Sequence, residues 1–115
     1  MMKAGEFINE ALINKYRKDF GDCSFNGKSY VLMQQAYITS DNPDNEWYAA
    51  TAFSPEDEVD ENASIPAYAI RWEILPETYE YWNNGGEDEG DACDWENPVE
   101  VSEFSYFYVE ENKIF

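Results

Sequence analysis

The chain has 115 residues, 25 of them acidic and 7 basic, for a net charge of -18 and no histidine. With 43% apolar residues, including 4 Trp, 9 Tyr and 7 Phe, it lies outside the disordered class despite its charge. A buried ring contributes roughly 1.5–3 kcal/mol, whereas surface repulsion is screened beyond about 8 Å at physiological salt. The length suits one domain, residues 1–115, able to fold without staples. The missing histidine removes the commonest general base, the usual Ser-His and Cys-His pairs and most zinc sites, so a non-enzymatic protein is expected.

The charge is lopsided. Residues 1–40 carry Glu6, Glu10, Asp19 and Asp22 against Lys3, Lys15, Arg17, Lys18 and Lys28, whereas Asp41 to Asn112 holds 21 acids and one base, Arg71. Such a field repels nucleic acid and anionic membrane and attracts basic partners. Cys23 and Cys93 belong to no CxxC pair, so free thiols are expected, with a single Cys23–Cys93 bridge as the alternative. Met-Met-Lys-Ala-Gly-Glu lacks the basic and apolar regions of a signal peptide, and no run approaches about 18 apolar residues. A soluble cytoplasmic protein is the expectation.

From Lys3 to Phe20, Phe7, Ile8, Ala11, Leu12, Tyr16 and Phe20 recur at three- and four-residue spacing, the stripe of one amphipathic helix, with Lys15, Arg17 and Lys18 near its end and Gly21 as cap. Phe25-Asn26-Gly27-Lys28 reads as a tight hairpin turn and Ser29 to Thr39 as a strand whose buried face the pattern leaves open. Ser40 to Asn45 is a turn.

The stretch from Asn45 to Pro76 organises the chain. Trp47 to Phe53 and Ala67 to Ile74 read as antiparallel strands. In the second, Tyr68, Ile70, Trp72 and Ile74 alternate with Ala67, Ala69, Arg71 and Glu73. Their connection projects Glu56, Asp57, Glu58, Asp60 and Glu61. After Pro76, Tyr79, Tyr81 and Trp82 suggest a helical turn or an aromatic lid, ended by Asn83-Asn84-Gly85-Gly86. Glu87 to Glu96 is a second acidic loop. Val99 and Val101, then Phe104, Tyr106 and Tyr108 at period two, make a closing strand to about Val109. One helix and about four antiparallel strands predict an α+β meander with the helix on one face, or alternatively a small half-open barrel.

The acids permit three chemistries. Paired carboxylates can act as acid and base, but 21 acids in this span bring some together by density alone. Glu87, Glu89 and Asp91 with Gly90, Asp94 and Glu96 offer oxygen ligands to calcium, though the EF-hand order is not matched. No cofactor or metal site is therefore assigned, and a calcium-binding module stays an alternative. Cys93 stands between Asp91 and Asp94, whose charge disfavours a thiolate. The third chemistry is binding. Glu56, Glu58 and Asp60 on one side of an extended loop recur at about 6.6 Å, sparser than the charge on one DNA strand every 3.4 Å or so. A mimic of nucleic acid needs Glu87, Asp88, Glu89 and Asp91 beside them, with Trp82 and Trp95 as aromatic anchors.

At Ala92-Cys93-Asp94-Trp95-Glu96-Asn97-Pro98-Val99-Glu100-Val101 the chain resembles small acidic bacterial and phage or mobile-element proteins without assigned activity, a likeness covering about its last half. It implies no catalytic residues. Size and acidity also resemble, as a class, DNA-mimic inhibitors and immunity proteins of nuclease toxins. The expected function is a binding protein that blocks a basic, nucleic-acid-binding protein surface without itself binding nucleic acid or membrane. The alternative is an acidic surface that serves solubility.

Overall fold

A computed structural model describes residues 2–42, 45–86, 93–110 and 113–114. Its elements, in chain order, are α1 Ala4–Phe7, α2 Glu10–Phe20, β1 Asp22–Phe25, β2 Lys28–Leu32, β3 Tyr37–Asn42, β4 Asn45–Phe53, β5 Ser64–Glu73, α3 Pro76–Asn83, β6 Glu100–Glu110 and β7 Lys113–Ile114. The class is α+β with a curled antiparallel sheet, as the pattern predicts, but the sheet has seven strands among the described residues instead of about four. Its order, β1-β2-β4-β5-β6-β7 with β3 also on β4, is a meander.

The single helix expected from Lys3 to Phe20 is broken. Ile8 and Asn9 leave the helical region, with ψ of 140° and 124°, and the Asn9 side chain accepts the Ala11 amide at 2.8 Å. Asparagine thus caps a new helix instead of continuing the old one. The restart turns the stripe, so Ile13 is buried and Ala11 exposed. Gly21 ends α2 at φ 96°, its amide donating to the Arg17 carbonyl at 2.9 Å. Asn26 and Gly27 join β1 to β2 at φ 52° and 82°, the backbone that a two-residue hairpin requires.

The strand expected from Ser29 to Thr39 is also interrupted. Leu32 pairs with Ala52 and Tyr37 with Ala49, both on the edge of β4 opposite β5. Five steps of chain therefore span three on β4, and the two extra residues bulge out. An even insertion keeps the alternation of faces in phase.

β5 lies at the centre, paired with β4 from Tyr68↔Ala52 to Glu73↔Trp47 and with β6 from Ser64↔Tyr108 to Arg71↔Glu100. Tyr68, Ile70, Trp72 and Ile74 enter one core with Tyr30, Leu32, Tyr48 and Ala50, against which Trp82 and Trp95 pack. This side is the tryptophan face. The opposite, helix face is buried too: Val31, Phe53, Ile65 and Val109 pack with Ala4, Ile8 and Ile13. Pro66 falls beyond the end of the β4–β5 ladder at Tyr68, so its missing amide removes no rung there.

One extra residue, Phe104, separates the pairs Tyr68↔Glu103 and Ala67↔Ser105. A single-residue bulge exchanges the faces of a strand. Val101, opposite Ile70, lies on the tryptophan face. Past the bulge Phe107 and Val109 turn to the helix face, while Tyr106, opposite Pro66, and Tyr108, opposite Ser64, take the tryptophan face. No helix among the described residues is long and apolar enough to cross a membrane.

Ile70 is fully buried at the middle of this arrangement. Ile70→Ala is expected to lower unfolding stability by about 2–4 kcal/mol through lost transfer energy and the cavity left behind. Urea unfolding checks it, and a loss below about 0.5 kcal/mol, the range of surface changes, would contradict the burial.

Candidate functional site

The connection between β4 and β5 is not an extended row of carboxylates. The Asp57 amide donates to the Ser54 carbonyl at 3.2 Å and the Ala63 amide to the Asp60 carbonyl at 3.0 Å, folding it into two turns. The turns are held by the acids themselves. Glu56 accepts the Ser29 amide and hydroxyl at 2.5 and 3.1 Å. Asp57, half-buried, pairs with the Lys28 ammonium at 2.5 Å and accepts the Tyr68 hydroxyl at 2.7 Å. Asp60 accepts the Asn62 and Ser64 amides at 2.8 and 2.9 Å and the Ser64 hydroxyl at 2.7 Å. The Ser29 amide and hydroxyl, and at Asp60 chiefly the Ser64 amide and hydroxyl, hold both carboxyls below their usual range.

At Lys28 burial lowers the pKa, but hydrogen bonds with Asp57 and Tyr68 outweigh it and the net shift is upward. The same connection secures the N-terminus, since the amides of Ala4 and Gly5 donate to the carbonyls of Asp57 and Pro55 at 2.7 and 2.9 Å. Gly5 eases that contact, where a Cβ would stand 3.1 Å from that of Pro55. Glu58 and Glu61 remain exposed.

The remaining sequence candidates separate. Glu87, Asp88, Glu89 and Asp91 lie outside the described residues. Trp82 and Trp95 are half-buried against the core. Trp95 meets the rings of Tyr48 and Trp72 edge-on, each at 5.3 Å between centroids, and its carbonyl accepts the Trp72 indole N–H at 3.0 Å. These tryptophans fill the sheet's interior, because the chain from Cys93 to Trp95 closes over it. Both cysteines are free and buried. Burial, aided at Cys23 by Asp22, pushes their thiols up to about 11, so neither is a nucleophile near neutral pH. Among the described residues no three acidic or thiol groups are placed to hold a metal ion.

A different surface emerges beyond the bulge. Phe104, Tyr106 and Tyr108 are 59%, 56% and 50% exposed, large rings in water on a strand that buries Val109 and half-buries Phe107 on its other face. The Tyr106 and Tyr108 rings meet at 5.3 Å between centroids and their hydroxyls at 3.4 Å. That hydrogen bond, chiefly, raises the pKa of Tyr108. Beside the rings runs an open groove of about 1020 Å³, walled by Ser64 and Pro66 and bearing Glu58, Asp60 and Glu103. Aromatic faces flanked by carboxylates attract cations through both the ring quadrupole and net charge. Sequence reasoning placed these rings on the closing strand without seeing that they are uncovered. The available signal was the switch from Val99 and Val101 to Phe104, Tyr106 and Tyr108, which marks the bulge. No family model, curated protein or solved structure matches the chain.

Asp60 shapes the groove's wall, and its depressed pKa gives that role a sign. The stabilisation is complete above the ordinary aspartate pKa and is lost as pH falls through the lowered folded value. Asp60→Ala is therefore expected to lower the melting temperature at pH 7, with the gap to the parent closing in acid. Thermal melts across pH check it; a gap that persists in acid would contradict the assignment.

Proposed function

We propose that this chain is a non-enzymatic acidic binding protein that occupies and blocks a basic surface of another protein, of the kind that otherwise holds nucleic acid, and that it does so through the groove beside β6. The observation that carries this reading is the exposure of Phe104, Tyr106 and Tyr108 next to Glu58, Asp60 and Glu103. Interface centres are enriched in aromatic rings, while charges at the rim steer encounter and set partner choice. A surface that served solubility alone has no use for three adjacent rings in water. The net charge of -18 supplies the long-range field.

Glu58 and Glu103 are the carboxylates to change, since Glu56, Asp57 and Asp60 also hold the fold together. Immobilised parent and the triple variant Glu58→Gln, Glu103→Gln, Tyr106→Ala are compared as baits in cell lysate at low and high salt. The parent is expected to retain a cationic protein at low salt, releasing it as salt rises, and the variant to retain about tenfold less, the loss of one aromatic anchor. Equal retention by folded parent and variant would overturn the proposal.

A further inference from the structure

The groove lies across the face of β5 and β6, and β6, which carries its rings, is an edge strand over most of its length, so the direction of its backbone narrows what can bind. β7 pairs with β6 at Val109 and Glu110, and among the described residues no strand covers the outer edge from Glu100 to Tyr108. The Val109 amide donates to the Ala63 carbonyl at 2.8 Å, fixing the phase of the ladder. Because backbone groups alternate in direction along an antiparallel strand, Phe107 also directs its amide toward β5, whereas Tyr106 and Tyr108 direct theirs outward. Among the described residues, the outward amides and carbonyls of Tyr106 and Tyr108, whose rings stand exposed, meet no backbone partner. Glu100, Glu103 and the bulge at Phe104 guard the first part of that edge, but Ser105 to Tyr108 carries no charge, proline or bulge of its own.

We infer that β6 accepts an extended segment of its partner as an added strand, with Lys or Arg at alternate positions lying over the rings of Tyr106 and Tyr108. The inference rests on the binding function proposed above and names its mode. A residue placed directly opposite Tyr106 or Tyr108 on such a strand shares their face, with Cβ atoms about 4.5–5.5 Å apart. A basic side chain there lies beside the exposed rings, in the field of the carboxylates Glu103, Glu58 and Asp60 that line the same groove. The chain makes this kind of contact internally, with the Arg71 guanidinium 3.7 Å from the Trp47 ring centre and the Lys28 ammonium 4.9 Å from that of Tyr68. Charge selects the occupant: a second copy would bring another -18 and its own Glu103 to the edge, and nucleic acid would meet the same repulsion.

The test uses the full chain and a fluorescent peptide that alternates lysine with threonine, with affinity read by anisotropy at low salt. Two further peptides of identical charge carry N-methyl groups, one on every lysine amide and one on every threonine amide. In an added strand the two sets of amides face opposite ways, so one methylated peptide is expected to bind like the parent and the other about tenfold or more weakly, having lost its ladder bonds. Tyr106→Ala is expected to weaken the parent peptide severalfold. Equal affinity of all three peptides would overturn strand addition while leaving charge-driven binding in place. Equal loss in both methylated peptides, or no binding of the parent peptide, would also overturn it. So would dimerisation of the chain through β6 in sedimentation, or a preference for an oligonucleotide over the peptide. Failure of the lysate comparison, by contrast, would remove the binding function itself.

Discussion

β5 must serve two cores at once, and that constraint shapes the rest of the molecule. Its residues Tyr68, Ile70 and Trp72, with Ile74 just past its end, send their side chains into the tryptophan face, while Ile65, nearer its start, belongs to the core beneath the helices. The two cores lie on opposite sides of the sheet and toward opposite ends of the strand. β6 must follow both, and the extra residue Phe104 lets it do so: Val101 packs on one side before the bulge, Phe107 and Val109 on the other after it. The exposed rings of Tyr106 and Tyr108 are the consequence. They face the part of the tryptophan side that the chain from Cys93 to Trp95 does not reach.

The acidic character divides into two roles. Glu56, Asp57 and Asp60 are structural, each consuming hydrogen bonds that set the β4–β5 connection, with Lys28 joining that connection to the first hairpin. A carboxylate that accepts two or three donors contributes to shape and has less capacity left for a partner. Among the described residues Glu58 and Glu103 accept no such hydrogen bonds, and they stand beside the rings. Counting acids therefore overstates how many are available for binding, and the groove's affinity depends on the few that combine exposure with an aromatic neighbour.

Much of this was legible in the sequence. The period of two in Tyr68, Ile70, Trp72 and Ile74 gave a buried face, Asn26-Gly27 a hairpin and Gly21 a helix end, because each depends on local backbone preference or strict alternation. The division at Asn9 was obscured because apolar residues on both sides kept helical spacing across the cap. In Tyr106-Phe107-Tyr108-Val109 every residue is apolar or aromatic, so alternation alone could not tell the inward pair from the outward one. Nor could it show that Asp57 meets Lys28 and Tyr68, since those contacts come from strand pairing between distant parts of the chain. The α+β class and the antiparallel order were available from pattern; the number of strands and the uncovered rings came from tertiary packing.

β6 thus has a protected side and an open one, with rings and backbone groups of the same residues on the open side. Native-state amide exchange followed residue by residue tests it most directly. The amides of Phe107 and Val109, directed into the sheet, should exchange slowly, and those of Tyr106 and Tyr108 rapidly. Slow exchange at all four positions would mean that the edge is already covered, and would contradict an open, strand-accepting side on β6.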